Sequence, residues 1–490
     1  MSNTCLLPVV IGGALLLSAG ECSSQLASGD RDTLVAIRKG LGNPGALRRG
    51  IPIRQSTTVA RWDLTWTLPA AMCDFVNLTR LDLSNTGLPA PFPARRFTDA
   101  PSSGSSNSPT TPSRRPPRDI GNLSPVMEHL NLSWNSFSGA VPPGVAALPA
   151  LKSLHLNSNR FTGVYPAAEI GKLAGLECLT LADNAFAPAP VPVAFAKLTK
   201  LTYLWMSDMS IIGEIPEALS SLTELTLLDL SSNNLTGAIP AWVWRHEKLD
   251  SEEKCSEDFG NLRNLTLLSL YMNNLTGTIP ASIGLLPKLS TIWLDNNNLF
   301  GELPPELGKH SPLSSIGISN NNLSGPLPET LCANGELYGI YASNNNFSRN
   351  LPANLGDCVL LQELVLDNNR FSGDFPEKIW LLPELEIVMI PNNFTGVLPA
   401  VLSSNIQHIE MGNNMFSGSI PRTAIGLLVF TAENNQLDGE LPADMSKLAN
   451  LIELKVPDNR ITGPIPASIK LLLNLKSLNL SGNQLIGAIS

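Results

Sequence analysis

Charge is scarce in this chain. Asp, Glu, Lys and Arg make up only 15% of its 490 residues, and the formal net charge is −9. A nucleic-acid partner requires a basic surface to displace counterions from phosphate, so that class has no electrostatic support. Histidine is scarcer still. His129, His155, His246, His310 and His408 are scattered at no spacing of a triad or metal site, so the sequence implies no cofactor and no catalytic residue. Carboxylates at outward positions read as a solvated face rather than an acid–base pair. Seven cysteines occur without any C-x-x-C, which removes zinc-ribbon spacing. Long hydrophobic runs are missing as well: beyond the N-terminus none approaches the roughly eighteen apolar residues of a membrane span.

What the chain does have is a period. Asn273, Asn297, Asn321, Asn345, Asn369 and Asn393 recur every twenty-four residues. Each closes the phrase LxxLxLxxN, as in Leu265, Leu268, Leu270 and Asn273, and most are followed by an apolar residue, a glycine and a proline such as Leu275, Gly277 and Pro280. Self-similarity of that length and pattern marks a leucine-rich-repeat solenoid.

The phrase has a physical reading. Alternation turns Leu268 and Leu270 into the core of a short strand and leaves Ser269 and Tyr271 facing water. The turn that follows strands backbone amides and carbonyls inside. An asparagine side chain carries both donor and acceptor, so stacked asparagines can satisfy those groups from coil to coil. Loss of one is expected to cost roughly 1–3 kcal/mol. Gly277 suits a position a β-carbon would crowd, and Pro280 fixes φ where the chain crosses to the outer face.

Aligned on the asparagine, sixteen repeats run from residue 78 to 490. Thr86, Asn135, Asn159, Asn184, Met209 and Asn233 precede the regular stretch, and Asn414, Asn435, Asn459 and Asn483 follow it. Met209 offers no amide, so the ladder is expected to weaken there. Asn393 is read as a ladder member, hence buried and unglycosylated, and the two twenty-one-residue intervals after it imply coils tighter on the outer face. Two intervals are irregular. One contains residues 92–119, rich in Ser, Pro and Arg without apolar periodicity, and reads as a disordered insert. The other contains the charge-rich segment 245–260, where another LxxLxL phrase would belong, and reads as a degraded or partly deleted repeat.

Ahead of the repeats, the apolar run from Leu6 to Ala19 reads as a signal peptide occupying residues 1–27. Residues 28–77 follow as an N-terminal cap, with Leu34, Ile37 and Leu41 at helical spacing before Gly42 and Pro44. Glycan acceptors consistent with export begin at Asn77, Asn122, Asn131, Asn234, Asn264, Asn274, Asn322, Asn346 and Asn479. Cys332 and Cys358 fall on the same outer edge of neighbouring coils, where an oxidising compartment favours a disulfide. Cys178 falls on an outward strand position, and partners for it and for Cys22, Cys73 and Cys255 are unassigned. The array reaches Ser490 without a C-terminal cap, which reads as a fragment of something longer.

Phrases such as Leu235, Gly237 and Pro240, with Asp32 to Lys39 and Gly42 to Pro44 ahead of them, resemble the plant-specific class of leucine-rich repeats. The run from Phe430 to Pro442 is similar to the HAESA-like receptor kinases. The resemblance implies an α/β solenoid, a right-handed superhelix of about sixteen repeats with a parallel sheet on the concave face. It implies an extracellular domain of a plasma-membrane receptor that binds a secreted peptide or protein, is joined by a short co-receptor kinase, and signals through a cytoplasmic serine/threonine kinase. This chain carries no membrane span and no HRD catalytic loop, so it is not itself expected to be an enzyme. Its cap lacks the family's paired cysteines. Several HAESA relatives hold a peptide's terminal carboxylate with an Arg-x-Arg pair. Here the corresponding positions read Glu363/Val365, His408/Glu410 and Glu453/Lys455. The competing reading is a soluble apoplastic protein that inhibits a cell-wall or pathogen enzyme.

Ligand contacts on a solenoid come from outward strand residues, which have no core duty. Those expected to bind are Tyr203, Trp205, Tyr271, Trp293 and Tyr341 as aromatic anchors, with Asp229, Asp295 and Asp367 as hydrogen-bonding partners. The bland alternative is that the aromatics cover neighbouring strands. His129, Trp134 and His155 form a weaker early cluster.

Overall fold

The computed structural model describes residues 75–85, 89–91, 120–241 and 262–487. The signal peptide, all but the last residues of the cap, the insert at 92–119, the segment at 245–260, Thr86, Cys22, Cys73 and Cys255 lie outside the described residues.

Sixteen three-residue strands, from Arg80–Asp82 to Ser477–Asn479, pair in parallel and in sequence order to form one continuous sheet. This is the leucine-rich-repeat solenoid the period implies. The middle residue of each strand points inward: Leu228, Leu268, Ile292, Ile316 and Ile340 are all at most 1% exposed. Opposite the sheet, prolines such as Pro216, Pro280 and Pro376 open five-residue helical turns, at Glu217–Ser221, Ala281–Leu285 and Glu377–Leu381. Their fixed φ suits that entry. Strands pack about 4.8 Å apart while helical turns need roughly twice that width, so the array curves with the sheet on its concave side.

A second apolar column lies two residues beyond the ladder asparagine. Leu275, Leu299 and Leu323 occupy it in the middle coils, and Phe347, Phe371, Phe394 and Phe416 in the later ones, all 0% exposed. The ladder itself is explicit at Asn321. Its Nδ2 donates to the Leu294 carbonyl of the preceding coil (3.0 Å) and to Ile318 and Ser319 of its own (3.1 and 3.2 Å). Its Oδ1 accepts from the Leu299 N–H at 3.0 Å. One amide thus closes the turns of two coils. At Met209, the Asn233 Oδ1 accepts from both Met209 N (3.0 Å) and Ile211 N (2.9 Å), so the next coil's amide reaches back across the gap.

The ladder member expected at Asn393 is Asn392 instead. Asn392 is 6% exposed, accepts from Phe371 N at 3.2 Å and donates to the Leu366 carbonyl at 2.9 Å. In neighbouring coils the residue before the ladder amide is left-handed, with φ of 55° at Asn320, 53° at Asn344 and 54° at Asn368. Asparagine tolerates that region, whereas the ring of Pro391 cannot enter it. The turn after Ile390 is therefore one residue shorter, and Asn393 is displaced outward to an exposed position at the start of a flanking strand. The coils that follow lack the helical turn between Val397 and His408 and between Ser417 and Val429. Expression in a secretory host is expected to place an N-glycan on Asn393, in register with Asn322 and Asn346. Glycopeptide mass spectrometry checks this, and Asn393 left bare beside occupied neighbours would reinstate the buried placement.

Both irregular intervals close without an intervening coil. Arg80–Asp82 pairs directly with His129–Asn131, and Leu227–Asp229 with Leu267–Ser269. The interval from 86 to 135 is two repeats long yet contributes, among the described residues, a single strand to the inner sheet, His129–Asn131. Cys332 and Cys358 are joined by a disulfide with Cα atoms 5.9 Å apart. Cys178, outward by alternation, is 2% exposed because its neighbours cover it.

Candidate functional site

Strand register sorts the outward side chains into rows running across the coils. The central row reads Trp205, Asp229, Ser269, Trp293, Gly317, Tyr341 and Val365. Tyr203, Leu227, Leu267 and Thr291 form the row to one side. Tyr271, Asp295, Ser319, Ser343 and Asp367 form the row on the other, linked through successive backbone bonds in the turns.

Trp293 and Tyr341 stand two strands apart, which at about 4.8 Å per strand separates their backbones by roughly 10 Å. Their ring centroids are nevertheless 5.5 Å apart, tilted at 38°. Gly317 on the intervening strand makes this possible. A β-carbon there would lie 2.2 Å from Cε3 of Trp293 and 2.3 Å from Oδ2 of Asp295, so the indole and the carboxylate occupy its place. Two aromatic rings therefore meet over a bare stretch of backbone, with a carboxylate beside them.

The polar groups around the pair are held firmly. Asp295 Oδ1 accepts from Ser319 N at 2.8 Å, and Ser319 Oγ accepts from Ser343 N at 3.1 Å. Ser343 Oγ in turn donates to Asp367. The hydroxyls of Tyr341 and Tyr338 both bond Glu363, and burial moves both phenols above the usual tyrosine range. Burial also drives the Asp295 carboxyl up to about 6. Asp229 is raised for the same reason, against hydrogen bonds from Ser231 Oγ (2.6 Å), Ser231 N (2.9 Å) and Ser269. Trp205 Nε1 donates to Ser207 Oγ at 2.6 Å.

The structure thus brings together Trp293, Asp295 and Tyr341, and ties Asp367 to them through two serines. Tyr203, Trp205 and Asp229 form a separate group, with Trp205 three strands from Trp293. Tyr271 lies between the two groups on the third row. None of the five aromatics is fully exposed: each is half-buried, and Trp293 does cover a neighbouring strand. Ser269 was expected to face water but is 3% exposed, covered within the row between Asp229 and Trp293. Gly317, Ser319 and Ser343 were not singled out by the sequence. A glycine at an outward position is the one signal that marks such a place. In the early coils His129 Nδ1 meets Ser153 Oγ at 2.9 Å and His155 Nδ1 meets Thr180 Oγ1 at 3.1 Å. Trp134 stands apart from them, 58% exposed on a left-handed turn residue with φ of 56°. Among the described residues no group of His, Cys, Asp and Glu is arranged to hold a metal ion, and no helix is long and apolar enough to cross a membrane.

Two buried groups give stability opposite pH slopes. Asp295 keeps its proton in the folded state up to about pH 6, whereas an unfolded aspartate loses it near 3.9. Between those values the native state binds more protons, so this group's contribution falls as pH rises, by about 3 kcal/mol in all. His155 is pushed down to about 4 by burial, so its contribution is complete above pH 6.5 and is lost by a similar amount, about 3 kcal/mol, as pH falls towards 4. Asp295→Asn is expected to raise stability at pH 7 and to steepen the loss on acidification. Denaturant midpoints across pH 4.5–7 test this, and parallel curves for variant and wild type would overturn it.

A Leucine Rich Repeat family profile matches residues 127–148, 224–245, 264–286, 288–310, 360–382 and 474–490. The receptor-like protein kinase HAIKU2 of Arabidopsis thaliana is 34% identical over 89 residues, which is 18% of this chain and 9% of that protein. Receptor-like protein kinase 7 of the same plant is 31% identical over 185 residues, 31% of this chain and 16% of that protein. The matched segments therefore span less than a fifth of either relative. Among solved structures, a TDR receptor superposes with a TM-score of 0.71 at 29% identity, covering 84% of this chain and 66% of that one. The ectodomain of the plant membrane receptor kinase GASSHO1/SCHENGEN3 from Arabidopsis thaliana, in complex with CASPARIAN STRIP INTEGRITY FACTOR 2, gives 0.67 at 29%, covering 87% and 50%. The Arabidopsis receptor kinase HAESA, in complex with the peptide hormone IDA and the co-receptor SERK1, gives 0.58 at 28%, covering 86% and 77%. The chain is a solenoid of the kind found in plant receptor-kinase ectodomains, not a kinase domain.

Proposed function

We propose that this chain is the extracellular ligand-binding part of a plant receptor-like kinase close to the HAESA group. It binds a secreted peptide along the concave sheet between Tyr203 and Asp367. The observation that carries this reading is the central row, where Trp205 and the Trp293–Tyr341 pair stand among small and aliphatic residues, serines and carboxylates. An extended peptide crossing the strands would stack on these rings and hydrogen-bond to Asp229, Asp295 and Asp367. The bound peptide and the adjacent coils then make one composite surface for a short co-receptor kinase. The solved relatives supply support, since those of GASSHO1/SCHENGEN3 and HAESA are complexes with CASPARIAN STRIP INTEGRITY FACTOR 2 and the peptide hormone IDA respectively.

Replacing Trp205, Tyr271 and Trp293 together by alanine is expected to abolish binding of peptides selected on the wild-type protein. Aromatic anchors in an interface commonly carry about 2 kcal/mol or more each. The three side chains lie outside the core, so the circular dichroism and melting temperature are expected to change little. Full peptide affinity in a folded triple variant would place the ligand elsewhere.

A further inference from the structure

We propose that Trp293, Asp295, Tyr341 and Glu363 form a subsite for a cationic side chain, a lysine ammonium or arginine guanidinium, on a peptide lying across the strands. This inference rests on the concave face being the peptide-binding face and names what that face selects.

The first observation is the shape of the subsite. The Trp293 indole lies over Gly317 and the Tyr341 ring over Gly339, with centroids 5.5 Å apart, and the tilt of 38° leaves their faces inclined to one another rather than stacked. The negative faces of indole and phenol attract a cation, and indole does so most strongly. The second is the charge placed around the rings. Asp295 approaches the place a Gly317 β-carbon would take from the Trp293 side. Glu363 meets the Tyr341 hydroxyl from the other side. A cation over the rings therefore lies between two carboxylates.

The third observation is what this part of the sheet lacks. From Tyr203–Trp205 to Val429–Thr431 the outward positions of the strands and the turn positions just beyond them include Asp229, Asp295, Glu363, Asp367, Glu410 and Glu433, and no lysine or arginine. His408 is engaged with Glu410 at 2.7 Å. Nothing basic in the described sheet neutralises Asp295 or Glu363, whose partners are serine and tyrosine groups. The raised proton affinity of Asp295 is what an uncompensated, partly desolvated carboxylate shows. A positive ligand group would supply the missing charge, whereas a peptide's terminal carboxylate would be repelled. Arginine fits both halves of the subsite, since its plane stacks on the indole while its fork bonds carboxylates.

The test uses a random dodecapeptide library displayed on phage and panned on the whole chain secreted from a eukaryotic host. Peptides that bind wild type but not the Trp205→Ala, Trp293→Ala variant define concave binders, and these are then synthesised for calorimetry. Replacing the arginine or lysine of a concave binder by citrulline or norleucine is expected to weaken it at least about tenfold. Against Asp295→Asn, Glu363→Gln protein the charged peptide is expected to fall to the level of its neutral analogue, with little further loss from the neutral one. Concave binders indifferent to that replacement, or governed by a free C-terminal carboxylate, would overturn the cationic subsite while leaving peptide binding intact. A library that yields binders but none sensitive to Trp205 and Trp293 would overturn the concave reading itself, and this inference with it.

Discussion

Phe371→Ala is expected to destabilise the array by about 4 kcal/mol, within the usual range for emptying a buried phenylalanine site. The ring is 0% exposed and lies between two others, 5.9 Å from Phe347 at 7° and 6.0 Å from Phe394 at 9°. Truncation removes the apolar transfer term, opens a cavity between coils and breaks two aromatic contacts at once, each adding about 0.5–1.5 kcal/mol. Because each coil of a solenoid touches only its neighbours, the loss falls on one interface and weakens coupling across it. Denaturation is therefore expected to broaden or split, and hydrogen exchange to speed up first in the coils flanking residue 371. Phe371→Leu is the informative companion. Leucine holds this place at Leu275, Leu299 and Leu323 with complete burial, so that variant is expected to lose less than about 1.5 kcal/mol. A cost of Phe371→Leu equal to that of Phe371→Ala would show that ring stacking, rather than apolar volume, holds these coils together.

The contrast between that column and the ligand face shows why one was legible in the sequence and the other only in part. Each coil solves the same packing problem, so Leu268, Asn321 and Pro280 repeat in register and the strand, the ladder and the outer turn follow from the period. Adjacent asparagines defeat the same logic at Asn392 and Asn393. Counting by twenty-four selects Asn393, and only the fixed φ of Pro391 reveals that the turn has lost a residue. Alternation correctly turns Ser269 and Cys178 out of the core, yet both are buried, because side chains on neighbouring strands close over them. The aromatic pair is harder still. Trp293 and Tyr341 were each visible as outward residues, but their meeting depends on residue 317, in the coil between them. Contacts set by parallel register across two strands leave no local pattern to read.

That dependence makes Gly317→Val the decisive change at the site. A valine β-carbon would sit 2.2 Å from Cε3 of Trp293 and 2.3 Å from Oδ2 of Asp295, so both side chains must leave their present positions. Strand propensity by itself favours valine over glycine, which isolates the cost to the crowding above the sheet. Such overpacking is expected to cost about 1–3 kcal/mol and to separate the indole from the Tyr341 ring. Peptide affinity is expected to fall by about a hundredfold, the equivalent of one interface anchor of roughly 3 kcal/mol. Pairing it with Trp293→Ala distinguishes crowding from a general loss of fold. In the double variant the indole is gone and only the Asp295 carboxylate remains to be displaced, so the stability loss is expected to be smaller than the sum of the two separate costs, while affinity stays low because the ring is gone. Such a coupling is characteristic of residues in direct contact. Additive stability costs in that cycle would mean that Trp293 does not rest on Gly317, and the site would lose its geometric foundation.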